Sequence, residues 1–183
     1  DTEALLDERL RETGTLFGIT DLDTLTELYS VAKYGEPQRA YDQFYGDILF
    51  HCMTRYFLSN ASEYTDTYGY YFTHEPSWLP YYPNMADWGA YHSAELTYVF
   101  GTNQDLLPEE ERQFSQELTS TWVSVASGTP TLPSGEPWPL YSESGSWWAD
   151  GGRWVELKPN GYTTLSGVKQ EQCDFIANQW WGE

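Results

Sequence analysis

The chain has 183 residues, enough for one domain with a sizeable core. Nine Lys and Arg stand against 28 Asp and Glu, a formal net charge of -19, which argues against nucleic acid or an anionic membrane as a partner, since both attract positive charge. With 40% hydrophobic and 17% aromatic residues this is not a disordered acidic tail, and no apolar run approaches the roughly 20 residues of a membrane span.

Asp1 to about Arg11 reads as a short acidic helix on Leu5, Leu6 and Leu10, punctuated by Gly14 and Gly18. A second helix is expected from about Leu22 to Val31, with Gly35-Glu36-Pro37 ending it. Arg39 to Leu58 reads as a longer helix whose apolar face holds Ala40, Phe44, Ile48, Leu49, Cys52, Met53 and Phe57. Tyr68 to Thr73 is dense in β-formers and reads as a buried strand. A loop rich in Pro and Trp follows, with Pro76, Trp78, Pro80 and Pro83. Next comes Trp88-Gly89-Ala90-Tyr91-His92-Ser93-Ala94-Glu95-Leu96-Thr97-Tyr98-Val99-Phe100-Gly101, which sets a histidine in an aromatic loop before an apolar run that reads as buried.

Glu109 to Ala126 is expected as a helix: Pro108 at its first turn, three acids at the positive end of the dipole, and a stripe of Phe114, Leu118 and Val125. Gly128-Thr129-Pro130 stops it. Trp138 to Tyr141 reads as extended, Gly151-Gly152 as a hairpin turn, Arg153 to Leu157 as a strand, and Cys173 to Trp180 as a terminal amphipathic helix. Two strands do not make an independently stable sheet, so they are expected to join strands from another chain. No repeat or linker interrupts residues 1–183, which read as one unit without an internal domain boundary.

Cys52 and Cys173 are far apart and lack metal-ligand spacing; a long-loop disulfide and two unpaired core thiols both fit. Asn60-Ala61-Ser62 is an N-glycosylation sequon, and with the cysteines it points to a secreted protein. The chain starts at Asp1 without a leader, which reads as processing from a longer precursor.

A lone histidine commonly caps a turn, but His-x-x-Glu-Leu-x-Tyr-Val-Phe-Gly around His92 is longer and more specific. It resembles the histidine segment of the type-B carboxylesterase/lipase family, the relatives of cholinesterases. The resemblance extends to Leu49-Phe50-His51-Cys52, Tyr70-Tyr71-Phe72-Thr73-His74, the 109–130 block, Trp138-Pro139-Leu140-Tyr141 and Gln172-Cys173-Asp174-Phe175, in the family's order. It implies an α/β fold: the C-terminal portion of an α/β-hydrolase, mostly helices plus a few strands completing a sheet supplied by another chain.

It also implies that His92 is the general base of a Ser-His-acid triad, and that Cys52 and Cys173 form a disulfide. The family's order is Ser, then acid, then His. No Gly-x-Ser-x-Gly pentapeptide, acidic triad segment or oxyanion Gly-Gly loop is present in the sequence. The implied partner is therefore an N-terminal chain of the same precursor bearing serine, acid and oxyanion hole, and the substrate a small-molecule ester, with no metal or organic cofactor. Glu95 is too near His92 in sequence to be the triad acid, which must come from another loop; it is expected behind the site. Trp88 and Tyr91 are expected to line the substrate pocket, with Trp78, Tyr81 and Tyr82 nearby. Trp147, Trp148, Trp154, Trp180 and Trp181 read as core or interface anchors, and His51 and His74 as having no chemical role. Two other classes fit: a catalytically silent, cholinesterase-like binding or adhesion module, and an unrelated acidic, aromatic-rich carbohydrate-binding domain.

Overall fold

The computed structural model describes residues 2–79, 84–85, 88–144 and 151–182. Tyr81, Tyr82, Trp147 and Trp148 lie outside the described residues. The chain packs as two compact units, one drawn from Asp1–Thr65, Trp148–Gly151 and Gly167–Glu183, the other from Asp66–Trp147 and Gly152–Ser166.

The first unit is helical. Helix α1 (Glu3–Leu16) is capped by Thr2, whose hydroxyl accepts from Leu5 N–H at 3.3 Å. It continues past Arg11 because Gly14 belongs to its buried face with Leu6 and Leu10: a Cβ there would stand 2.5 Å from Leu25 Cδ2. The stop comes at Gly18, whose φ of 79° suits glycine. Helix α2 (Leu22–Leu28) is capped by Asp21, which accepts from Thr24 N–H at 3.1 Å and its hydroxyl at 2.7 Å. The expected second helix is thus shorter, and Val31–Tyr34 forms a separate turn, α3. Pro37 opens the next helix: α4 (Pro37–Gly46) passes through a π turn at Asp47–His51 into α5 (Cys52–Ala61).

Helix α8 (Gln170–Trp181) joins this group. Leu6, Leu10, Leu25, Leu28, Phe44, Ile48 and Ile176 close the core, each contributing about 1.5–3 kcal/mol on burial. Three links tie α8 to the 47–61 helix. The Cys52–Cys173 disulfide is formed. Arg55 Nη2 pairs with Asp174 at 2.8 Å. Asp47, fully buried on the π turn, accepts from Lys169 Nζ at 3.2 Å, His51 Nδ1 at 2.8 Å and Tyr29 Oη at 3.1 Å. Burial, and then the Asp47 charge, push the Tyr29 phenol up.

The second unit holds a three-stranded sheet in the order β1 (Gly69–Phe72), β2 (Arg153–Lys158), β3 (Gly161–Ser166). β1 runs parallel to β2 with Gly69 opposite Trp154; β2 and β3 are antiparallel with Lys158 opposite Gly161. The third strand is a correction to the expected two. Its signal is the Pro159-Asn160 turn: Asn160 has φ 60°, the positive angle that a type II turn needs after proline. Gly151 and Gly152, expected as a hairpin turn, instead lead into β2 at φ 65° and 69°. A Cβ on Gly152 would fall 2.1 Å from the buried Tyr141 ring.

Helix α7 (Glu109–Ala126) has the expected bounds and turns Phe114 and Leu118 onto Val155 and Leu157 of β2. Trp138 and Trp154 are buried in this unit, and Trp138 Nε1 donates to Gly69 O at 3.4 Å. Tyr141 opens a 3-10 turn (Tyr141–Ser144), where a fully extended segment was expected. Among the described residues no helix is long and apolar enough to cross a membrane.

Candidate active-site histidine

His92 sits on the segment between β1 and the short helix α6 (Leu96–Val99). Ala94 N–H donates to Tyr91 O at 3.0 Å, closing a turn that places His92 second and Ser93 third. Ser93 has φ 73°, the angle a type II turn demands at its third position and one serine adopts at a cost of roughly 1 kcal/mol. The turn is anchored by Ala94, which is fully buried, so the imidazole beside it projects outward from a fixed base. Gly89 permits a second close approach: at φ 59°, a Cβ there would lie 3.3 Å from Glu75 Oε1.

The aromatic neighbours expected from sequence meet. Trp88 and Tyr91 form an edge-to-face pair with centroids 5.4 Å apart, and Trp78 meets Tyr91 at 6.2 Å. Trp88 is 53% exposed and Tyr91 half-buried, so both rings present apolar surface on the segment that carries His92. The apolar run after the histidine is buried only in part. Tyr98 and Val99 are buried, whereas Leu96 and Phe100 are exposed, because α6 is helical and its i, i+4 pair faces outward.

Glu95 reaches the sheet. Its Oε1 accepts from Tyr70 Oη, on β1, at 3.3 Å. Burial first, then the Glu95 charge and this hydrogen bond, push the Tyr70 phenol up to about 12. Burial and Glu95 also raise Tyr91. Glu95 therefore carries its charge against two phenols and joins the histidine turn to the sheet.

A glutamate that sequence reasoning missed holds the rest of the segment. Glu111, in the first turn of α7, is one of the three acids expected at the positive end of the helix dipole, yet it is 4% exposed. Its carboxylate accepts from Ser77 N–H at 3.0 Å and from Tyr98 Oη at 2.9 Å. His74 Nε2 stands 3.0 Å from the same group, outside hydrogen-bond geometry. Burial raises the Glu111 pKa, but the contacts from His74, Ser77 and Tyr98 outweigh it and hold the carboxyl below its usual range. Glu111 thus joins α7 to chain on both sides of His92. The available signal was its phase: residues 111, 114 and 118 lie on one helical face.

A carboxyl with a depressed folded-state pKa stabilises fully above its unfolded value of about 4.3, and that contribution is lost as pH falls through the folded value. Glu111→Gln is expected to lose about 1–3 kcal/mol at neutral pH, with the gap to the parent protein closing below pH ~4. Urea melts at a series of pH values check this; a gap constant with pH would refute the linkage.

Cys52 and Cys173 meet as the resemblance implied. Asn60 is exposed near the end of α5, with Nδ2 donating to Tyr56 O at 2.8 Å. Among the described residues no three His, Cys, Asp or Glu side chains converge as a metal site would require.

A model of the carboxylesterase family matches residues 20–176, a span that includes His92, both cysteines and Asn60. Among solved structures, PNB esterase superposes with a TM-score of 0.66 at 23% identity, over 96% of this chain and 33% of that one. The chain therefore spans about a third of that esterase's length, and the likeness identifies the fold as that of an α/β-hydrolase. No curated protein matches. The family match runs through both compact units and most of the length, and the chain belongs to the carboxylesterase family.

Proposed function

We propose that this chain is the histidine-bearing, C-terminal part of a secreted serine carboxylic ester hydrolase, with the nucleophile, triad acid and oxyanion hole on an N-terminal chain of the same precursor. The observation that carries the reading is His92: an exposed imidazole on a turn anchored by buried Ala94, flanked by Trp88 and Tyr91, within the family-matching segment. In the assembled enzyme His92 accepts the proton of the serine hydroxyl as it attacks the ester carbonyl. It returns that proton to the departing alcohol, then activates water to release the acid. Trp88 and Tyr91 line the ester pocket, and Glu95 sets the histidine turn against Tyr70.

The sheet fits a piece of a larger α/β-hydrolase domain. Among the described residues it has three strands, and β1 stands at its edge with a free side for a further strand. Trp88, Leu96 and Phe100 lie exposed on the same segment, as surface awaiting a cover would be.

Denaturing mass spectrometry of native material treated with a fluorophosphonate serine probe tests the reading. A larger second chain carrying the probe, beside an unlabelled chain of this mass, is the expected result. A second chain without label would assign a silent relative, and this chain alone, folded and monodisperse, would overturn the two-chain enzyme.

A further inference from the structure

The first unit carries a surface feature that plays no part in ester hydrolysis. A cavity of about 250 Å³ opens between α5 and α8, lined by Arg55, Tyr56 and Ser59 on one side and Asp174, Asn178 and Trp181 on the other. At its mouth the Tyr56 and Trp181 rings stack with centroids 4.5 Å apart and planes 19° from parallel. Both remain well exposed, at 38% and 43%. Two stacked aromatics left open to water cost apolar exposure without filling a core. Beside them stand the Arg55–Asp174 pair and the Asn178 amide. A ring face for C–H groups next to polar groups for hydroxyls and amides is the chemistry that recognises a sugar.

The chain supplies its own sugar-bearing position one helical turn away. Asn60 is the acceptor of Asn60-Ala61-Ser62, is exposed, and lies four residues after Tyr56 on α5, so the two share a helix face. Its Nδ2, the atom that would carry the sugar, is 2.8 Å from Tyr56 O. We propose that Asn60 bears an N-linked glycan whose innermost N-acetylglucosamine residues pack on the Tyr56–Trp181 stack and against the mouth of this cavity. Transfer forms a bond from Nδ2 to the sugar's C1, breaks the C1–O bond to a lipid-linked diphosphate donor, and releases one Nδ2 proton. The remaining N–H still donates to Tyr56 O. The covalent tether confines the sugar beside the rings, so a weak stacking contact is populated without free-sugar affinity. The glycan would brace the end of α8, where Trp181 is the last helical residue. The idea rests on secretion and is independent of the role of His92.

The test uses the full precursor from a glycosylating eukaryotic host. Glycopeptide mass spectrometry should find Asn60 occupied. An endoglycosidase then trims the chain to one N-acetylglucosamine, and Ser62→Ala removes the glycan while leaving Asn60 in place. The trimmed glycoprotein should melt about 2 °C above Ser62→Ala. In a Trp181→Ala background that increment should fall to the share owed to the Ser62 hydroxyl's bond to Ser59 O, which Ser62→Ala also removes, and it should be largely kept in Trp181→Phe, which preserves a ring. An unoccupied Asn60, or the same increment in all three backgrounds, would overturn the proposal. Should Trp181→Ala not fold, Tyr56→Ala against Tyr56→Phe reads the same contact from α5.

Discussion

Ester hydrolysis by the assembled enzyme should fall by roughly four to six orders of magnitude in kcat when His92 becomes Ala, with the fold unchanged. The size follows from chemistry: a serine hydroxyl is a poor nucleophile until a neighbouring base takes its proton, and Ser93, the other residue between Tyr91 and Ala94, offers no base to replace the imidazole. The intact fold follows from structure. The His92 side chain is exposed, while the turn is held by the Ala94–Tyr91 hydrogen bond and the buried Ala94 methyl, both retained in the variant. Steady-state kinetics on a simple ester, with thermal melts of parent and variant, make the check. Near-parental turnover by a well-folded variant would remove His92 from the reaction and favour the silent-relative reading.

The other large effect concerns stability. Cys52 and Cys173 are 121 residues apart, and the chain-entropy account assigns a loop of that length about 5 kcal/mol. The Asp47–Lys169 and Arg55–Asp174 contacts join the same two helical segments and survive loss of the disulfide. A Cys52→Ala, Cys173→Ala double variant is therefore expected to lose about 2–5 kcal/mol and to unfold at lower denaturant. Denaturant titration under oxidising conditions measures it. Coincident transitions for parent and variant would show that the ion pairs alone fasten α8.

Much of this fold is written locally. The bounds of α7 are legible because Pro108, three acids, an apolar stripe and a Gly-Thr-Pro stop agree at successive positions. Where the reading slipped, a distant contact outweighed the local signal. Gly14 looks like a helix stop until Leu25 needs the space of its missing Cβ. The strand Gly161–Ser166 has a weak burial pattern, and pairing with β2 is what makes it a strand. The disulfide was undecidable from spacing and came into view through the family resemblance, now matched by the fold.

The candidate site divides the same way. A run of residue types around His92 is enough to name the histidine, since the chemistry needs imidazole in a loop and the surrounding pattern is specific. Periodicity, caps and turns act over a few residues, so helices, loops and the identity of the candidate base can be read along the chain. Desolvation and hydrogen bonding between remote segments act across space. The packing of α7 against the β1–α6 segment is what buries Glu111 among Ser77, Tyr98 and His74, and what makes Glu95 a partner of Tyr70 rather than a solvated acid. The same physics closes Cys52 onto Cys173 and stacks Tyr56 on Trp181 beside Asn60, pairings that no local pattern encodes because their free energy exists only once both partners leave water together.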